Sequence, residues 1–406
     1  MDVSFVGLGK LGLPLACTLA GSGNRIWGID KNPYFIENLS NDNLPFYEPG
    51  LDEIFPNKNF VDFSDSYESI ISNTDATIIL VSTQSDDGYS SANVEAALEE
   101  LSISLKESKK DYHLIVLSST VPPGSISKLI KLVEDNSERK YGEGFGFSYV
   151  PDFVRLGCVI KDFKNPEFFM FGANNQKDID LTKSIWKDYH DNDPPFKTLT
   201  LEEAEVAKVS LNAYLVNKIT FANFLGEICD GMDNVNIHNV TDVVGLDKRV
   251  SPYFFGYGMP YGGACFPRDT SAFIKFAASR DKVAKNLLFA DEVNHMLYQS
   301  ICRKIDPYSK VSILGVSFKP DSPVTIGSPS VVILEYLKSQ NKETYCHDFI
   351  EETFDNLKMF SGLEFKSYSI EECIENSDVV ILMHPDKRYS QFDFSDVEVV
   401  DYWGIL

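Results

Sequence analysis

The opening stretch VSFVGLG (3–9) is a short apolar run that ends in glycines. Apolar positions at helical spacing follow it and lead into RIWGID (25–30). Strand, tight turn, helix and strand in that order make a βαβ unit and predict a parallel sheet. Apolar runs at 76–82 (ATIILVS) and 113–119 (HLIVLSS) read as buried parallel strands, with SYVPDF (148–153) and EFFMFGA (167–173) closing the sheet. From Thr200 to about Gly231 the pattern changes. LEEAEVAKVSLNAYLVNKITFANFLGEICDG has no proline, no glycine before Gly226, and apolar residues recurring at three and four. It predicts one long helix, about 45 Å at 1.5 Å per residue, acting as a spine between two sheet domains, with more helices to about 304. At 310 the βαβ pattern restarts: KVSILGVSF, helix VVILEYLKSQ, strand ETYCHDF, helix IEECIENSD, then strands VVILMH and VEVVD. The fold expected is α/β, with a second, smaller α/β domain beginning after DPYSK (306–310), where proline and polar residues interrupt the pattern.

Composition narrows the function. A chain of 406 residues with 43% hydrophobic and 24% charged residues is long enough for two or three globular domains. Its net charge of −23 argues against nucleic-acid binding, which needs a basic face. An anionic substrate would then need a locally basic pocket. The seven cysteines (17, 158, 229, 265, 302, 346, 373) are odd in number and lack CxxC spacing, which argues against a disulfide framework and against a zinc site. The apolar stretch from Val3 to Ala20 carries Lys10 and three glycines, so it reads neither as a signal peptide nor as a membrane span. A soluble, cytoplasmic protein is expected.

Gly7-Leu8-Gly9-Lys10-Leu11-Gly12 is a GxGxxG between a strand and a helix. The first glycine permits the turn, the second lets backbone approach a pyrophosphate, and the third lets helix pack on strand. The helix N-terminus then faces the phosphate charge. Asp30 ends the second strand 18 residues after Gly12. A carboxylate there accepts bonds from ribose hydroxyls and repels a 2′-phosphate, so the cofactor expected is NAD rather than NADP, a preference that the neighbouring Lys31 slightly softens.

Three further stretches carry candidate chemistry. In YGGACFPRDT (261–270), Gly262-Gly263 gives close backbone approach, and Pro267 suits the first turn of a helix that continues as TSAFIKFAA. Cys265 therefore sits near a helix N-terminus, which favours a thiolate. Asp269 lies one turn away on the same face. A nucleophilic thiol beside a carboxylate suits covalent catalysis on a carbonyl. On the long helix, Lys208 and Asn212 are spaced i, i+4, an ammonium and an amide able to stabilise an oxyanion. Ser119-Thr120-Val121-Pro122-Pro123-Gly124 falls at the carboxyl end of an inner strand, where ligands of open α/β sheets bind.

These residues resemble the nucleotide-sugar 6-dehydrogenase family, closest to its UDP-glucose dehydrogenase branch. The likeness runs through the whole chain: the opening fingerprint, FYEPGLDEIF (46–55), SSTVPPG (118–124), DFKNPEFFMFG (162–172), the long helix, the GGACFPRD box and GVSFKPDS (315–322). It implies two Rossmann-like doubly wound domains joined by a long central helix: an NAD-binding domain at 1–199, a helical dimerisation region at 200–304, and a UDP-sugar-binding domain at 305–406. It implies a homodimer that carries a sugar's C6 alcohol to a carboxylate in two NAD-dependent oxidations. By the same resemblance Cys265 adds to the aldehyde, Lys208 and Asn212 stabilise the oxyanion, and Thr120 and Asp269 handle protons and water. Thr83, Thr120 and Arg268 join the turn residues Gly7, Gly9, Lys10, Leu11, Gly12 and Asp30 at the cofactor. Phe153, Tyr261, Gly262, Gly263, Phe318 and Lys319 contact the sugar nucleotide, with Arg249 lent across the dimer.

The chain departs from the family's pattern at several positions. Asp152 in VPDFVRLG stands where a glutamate associated with thioester hydrolysis is usual, and Leu156 replaces a second acidic residue. An Asp can still act as a base, through a water if necessary. Ile326 stands where an arginine near the NAD pyrophosphate is usual, and Trp403 where a substrate-contacting arginine is usual. Each lost charge-assisted contact costs roughly 1.5–3 kcal/mol. These changes keep two other readings open: a paralogue that binds nucleotide sugars without turning them over, and a β-hydroxyacid-type dehydrogenase that performs one oxidation and needs no thiol.

Overall fold

The computed structural model describes residues 1–406 apart from 56–58, 86–87 and 156, so Leu156 lies outside the described residues. The chain divides into two compact units, Met1–Val209 and Ser210–Leu406.

The first unit is built on β1 (Asp2–Val6), β2 (Arg25–Ile29), β3 (Phe60–Ser64), β4 (Ala76–Ile79), a short hairpin β5 (Gln84–Ser85) and β6 (Gly88–Tyr89), then β7 (Leu114–Leu117), β8 (Gly146–Tyr149), β9 (Phe169–Gly172) and β10 (Phe196–Leu199). Its main sheet has the order β10-β9-β8-β7-β4-β1-β2-β3. Every pairing is parallel except the single antiparallel bridge between β8 and β9. Alternate residues of the inner strands feed apolar clusters on opposite faces. Val3, Phe5, Leu114 and Val116 join one cluster; Val6, Ile115 and Leu117 join the other. That two-sided burial is why these strands read as continuous apolar runs. The sequence reading missed β3 and β10. Both are edge strands with largely exposed or half-buried residues (FVDFS, FKTL), so neither carries the apolar signature of a buried strand.

The long helix spans Leu201–Cys229, about 43 Å at 1.5 Å per residue, and the division between units falls within it. In the second unit the helices Ile237–Gly245, Phe266–Ala278 and Lys285–Ile305 precede a four-stranded parallel sheet. Its strands are β11 (Lys310–Leu314), β12 (Glu343–His347), β13 (Val379–Leu382) and β14 (Glu398–Asp401), in the order β12-β11-β13-β14. Each sheet reverses its strand order beside its first strand, and the crevice at the carboxyl ends there is where open α/β sheets take ligands.

Candidate active site

The first unit places the glycine turn at such a crevice, between β1 and β4. Gly7 has φ 94°, and a Cβ there would fall 2.3 Å from the Leu80 carbonyl oxygen. A Cβ on Gly12 would fall 1.9 Å from the Gly7 carbonyl oxygen, so the helix Gly12–Gly21 begins tight against the turn. Gly9 differs: a Cβ there would meet nothing within 4 Å. The helix has no side-chain cap at Leu11, and Lys10 and Leu11 are half-buried in the approach to it. Open space above the second glycine and uncapped helical N–H groups make a cradle for a pyrophosphate. Asp30 accepts the Leu8 N–H at 2.7 Å through Oδ2 and the Asn32 N–H at 2.8 Å through Oδ1. The carboxylate is thereby fixed at the ribose end of the turn. Thr83 is buried after β4, and its carbonyl accepts the Ser90 N–H at 2.9 Å.

The same unit brings Lys208, Asp152 and Phe153 together. The buried Lys208 ammonium donates to the Asp152 carbonyl oxygen and lies 4.4 Å from the Phe153 ring centroid. Asp152 is half-buried, and its Oδ2 is buried without a hydrogen-bond partner among the described residues. Burial pushes the carboxyl up to about 7, opposed in part by the Lys208 charge. Such a carboxyl exchanges a proton near neutral pH, as a general base for hydrolysis must.

Two positioning residues escaped the sequence reading. Glu205, from the long helix, is buried and accepts the N–H groups of Gly124 (2.9 Å) and Ile126 (2.8 Å), fixing the loop that carries half-buried Thr120. Glu48 accepts the N–H groups of Gly157 (3.1 Å) and Val159 (2.9 Å), which anchors the loop following Phe153. The signal lay in FYEPG and in the glutamate three residues before Lys208, but their partners are remote in sequence.

In the second unit Cys265 is exposed at the N-cap of the helix Phe266–Ala278, with Pro267 in the first turn. Its carbonyl accepts the Asp269 N–H at 2.9 Å. Asp269 is buried, and both its oxygens are taken: Asn212 Nδ2 donates to Oδ2 at 2.6 Å and Arg268 Nε to Oδ1 at 2.8 Å. A buried carboxylate with two strong donors stays fixed one turn below the thiol. Tyr261 is braced by Asn294, whose Oδ1 accepts its N–H at 2.7 Å, and by Asp291, which accepts its hydroxyl. Gly263 donates to the Gly327 carbonyl at 2.8 Å and lies so close to the Phe318 ring that a Cβ would be 2.7 Å from it; Gly262 is pressed on the same carbonyl. Ser317 Oγ donates to the Lys319 carbonyl at 3.1 Å. Arg249 is exposed and paired with Asp247 at 2.6 Å. Trp403 packs over Gly258, whose Cβ would lie 2.2 Å from the indole ring, so this position now packs the loop leading to Cys265.

A parallel sheet with this turn at its switch point, and an Asp fixed beside it, is the arrangement of a dinucleotide-binding α/β protein. The chain belongs to the UDP-glucose/GDP-mannose dehydrogenase family. Its NAD binding domain model matches residues 1–190, its central domain 202–296 and its UDP binding domain 312–403. UDP-glucose 6-dehydrogenase AglM of Haloferax volcanii is 28% identical over 97% of this chain and 93% of its own. GDP-mannose 6-dehydrogenase of Pseudomonas syringae is 29% identical over 96% and 92%. The solved structure of a UDP-glucose dehydrogenase from Pyrobaculum islandicum superposes with a TM-score of 0.92 at 28% identity, covering 100% of this chain and 94% of that one. The protein is an NAD-dependent nucleotide-sugar 6-dehydrogenase, and the two-step oxidation of a nucleotide sugar is its family's reaction.

Proposed function

We propose that this enzyme oxidises the C6 alcohol of a UDP-sugar, UDP-glucose being the first to test, to the carboxylate through a covalent bond to Cys265. NAD, when bound, takes up a hydride in each of the two oxidations. Gly7, Gly9 and Gly12 leave room for its pyrophosphate and Asp30 holds its ribose, with Lys10, Leu11, Thr83 and Arg268 also assigned to the cofactor. In the first oxidation the alcohol gives up a proton, passed through Thr120 and water, and the Lys208 ammonium and Asn212 amide stabilise the alkoxide. The Cys265 thiolate then adds to the aldehyde carbon, and the carbonyl oxygen takes a proton to give a thiohemiacetal. Loss of that proton and a second hydride leaves a thioester. Asp152, titrating near neutrality, takes a proton from water as the water attacks the thioester; carbon–sulfur cleavage returns the thiolate and frees the acid. Phe153, Tyr261, Gly262, Gly263, Phe318 and Lys319 hold the sugar nucleotide.

The observation that carries this reading is the Cys265 group: an exposed thiol at a helix N-terminus above a buried Asp269 clasped by Asn212 and Arg268. A merely structural cysteine has no need of it. Replacing Cys265 by serine should reduce uronic acid formation about a thousandfold. NADH yield per sugar and product mass are the measurements; native acid formation by C265S would sink the assignment. A second copy of the chain completes the proposal. Tyr214, Phe221 and Ile228 lie exposed at seven-residue intervals on the long helix, an apolar stripe suited to a partner helix. Exposed Arg249, held by Asp247 in the single chain, would exchange that pair for the partner's substrate, supplying the basic group an acidic chain needs for a diphosphate.

A further inference from the structure

At the ribose end of the turn, Lys31 follows Asp30, yet its ammonium is turned to another element. Lys31 Nζ donates to Asn93 Oδ1 at 2.9 Å, and Asn93 Nδ2 donates to the Ser82 carbonyl at 3.0 Å. Both ends of the Asn93 amide are thus in use, which fixes its orientation. The result is a bridge from the loop after β2, through the first turn of the helix Ala92–Glu107, to the loop after β4. In the sheet order β4-β1-β2 these two loops stand on either side of the glycine turn.

We propose that Asn93 is a cofactor-specificity residue: it holds the Lys31 ammonium away from the ribose 2′ position, so that Asp30 alone meets a 2′-phosphate. Asp30 is fixed by Leu8 and Asn32 and cannot turn aside, so the phosphate meets a carboxylate. A lysine has a flexible four-carbon stem and pairs with phosphate as a point charge. Released from Asn93, it would swing back beside Asp30 and offset that repulsion. Lys31 read from sequence softens the preference for NAD; tied to Asn93, it leaves the preference intact.

Calorimetric binding of 5′-ADP and 2′,5′-ADP to the whole enzyme tests this apart from turnover. 5′-ADP must bind the unsubstituted enzyme, since the nucleotide site itself requires it. Asn93→Ala should improve 2′,5′-ADP relative to 5′-ADP about fivefold, the effect of one exposed ion pair, and the gain should shrink as salt is raised. Lys31→Ala alone should move the ratio less than twofold, and the double variant should return to the native ratio. The proposal is overturned if Asn93→Ala leaves the ratio unchanged, if the double variant keeps the gain, or if Lys31→Ala alone strongly weakens 2′,5′-ADP.

Discussion

Gly7 follows β1 with φ 94°, its N–H donates to the Ile29 carbonyl at 2.8 Å, and the Leu8 N–H donates to Asp30 at the end of β2. Gly315 follows β11 with φ 86°, its N–H donates to the His347 carbonyl at 2.9 Å, and the Ser317 N–H donates to Asp348 at 2.8 Å, just past β12. The two units build a similar turn, each from a positive-φ glycine and an aspartate that follows the next strand. What lies above each turn differs. A Cβ on Gly7 would fall 2.3 Å from the Leu80 carbonyl oxygen, so backbone crowds the first glycine, whereas at Gly315 it would fall 2.6 Å from the His384 ring. His384 Nε2 lies 3.3 Å from Ser317 Oγ and 3.7 Å from Asp348, and all three residues are buried. Both turns therefore hold their carboxylate by backbone N–H bonds, and the second also carries a buried imidazole against its glycine. A glycine turn with an acidic partner describes a backbone; the side chains packed against it, here His384 from the loop after β13, distinguish the two turns.

Substitutions at the two turns should act in opposite ways. Gly315→Ala meets both a positive φ and a buried imidazole, so unfolding should be eased by about 3 kcal/mol, read from urea denaturation, while NAD binding to the folded enzyme stays native. Gly9→Val has room for its side chain, so stability should hold within about 0.5 kcal/mol, but NAD affinity should fall about a hundredfold, near 2.7 kcal/mol. If Gly9→Val binds NAD normally, the open space is not the pyrophosphate cradle. If Gly315→Ala costs nothing, the His384 ring does not pack on that glycine.

The buried carboxyls extend the contrast to pH. Burial holds the folded Asp152 carboxyl protonated up to about pH 7, whereas an unfolded aspartate ionises near about 4. Between those values the folded state binds the extra proton, so stability should decline as pH rises through that window, by about 4 kcal/mol from this group. Asp152→Asn should abolish that decline and also slow acid formation above pH 7. Asp348 works with the opposite sign. Burial raises its carboxyl, but bonds from His384 and Ser317 outweigh this and hold it below the usual range. Its contribution is full above about pH 4 and lost as pH falls through the lowered value. Unfolding curves for Asp152→Asn that keep the native pH dependence between 4 and 7 would show that the Asp152 carboxyl is ionised in the folded state.

The inner strands, both glycine turns' surroundings as βαβ units, and the long helix were readable because each is a local periodicity. The edge strands β3 and β10 were not, since half their residues face solvent. The candidate residues were readable as residue types: Cys265 at a helix start, Asp30 at a strand end, Lys208 and Asn212 a turn apart. Their partners were not. Asn212 reaches Asp269 across 57 residues, Glu205 reaches Gly124 across 81, and Glu48 reaches Gly157 across 109.

The amino-acid order by itself determined the α/β class, the NAD turn and the thiol at its helix N-terminus, because short-range sterics and burial periodicity act within a few residues. Only the tertiary structure decided that Asp152 Oδ2 is buried without a hydrogen-bond partner among the described residues, that the His384 ring packs on Gly315, and that Lys31 is tied to Asn93. Each depends on loops brought together by parallel strands, where a side chain's environment is set by neighbours that no local spacing encodes.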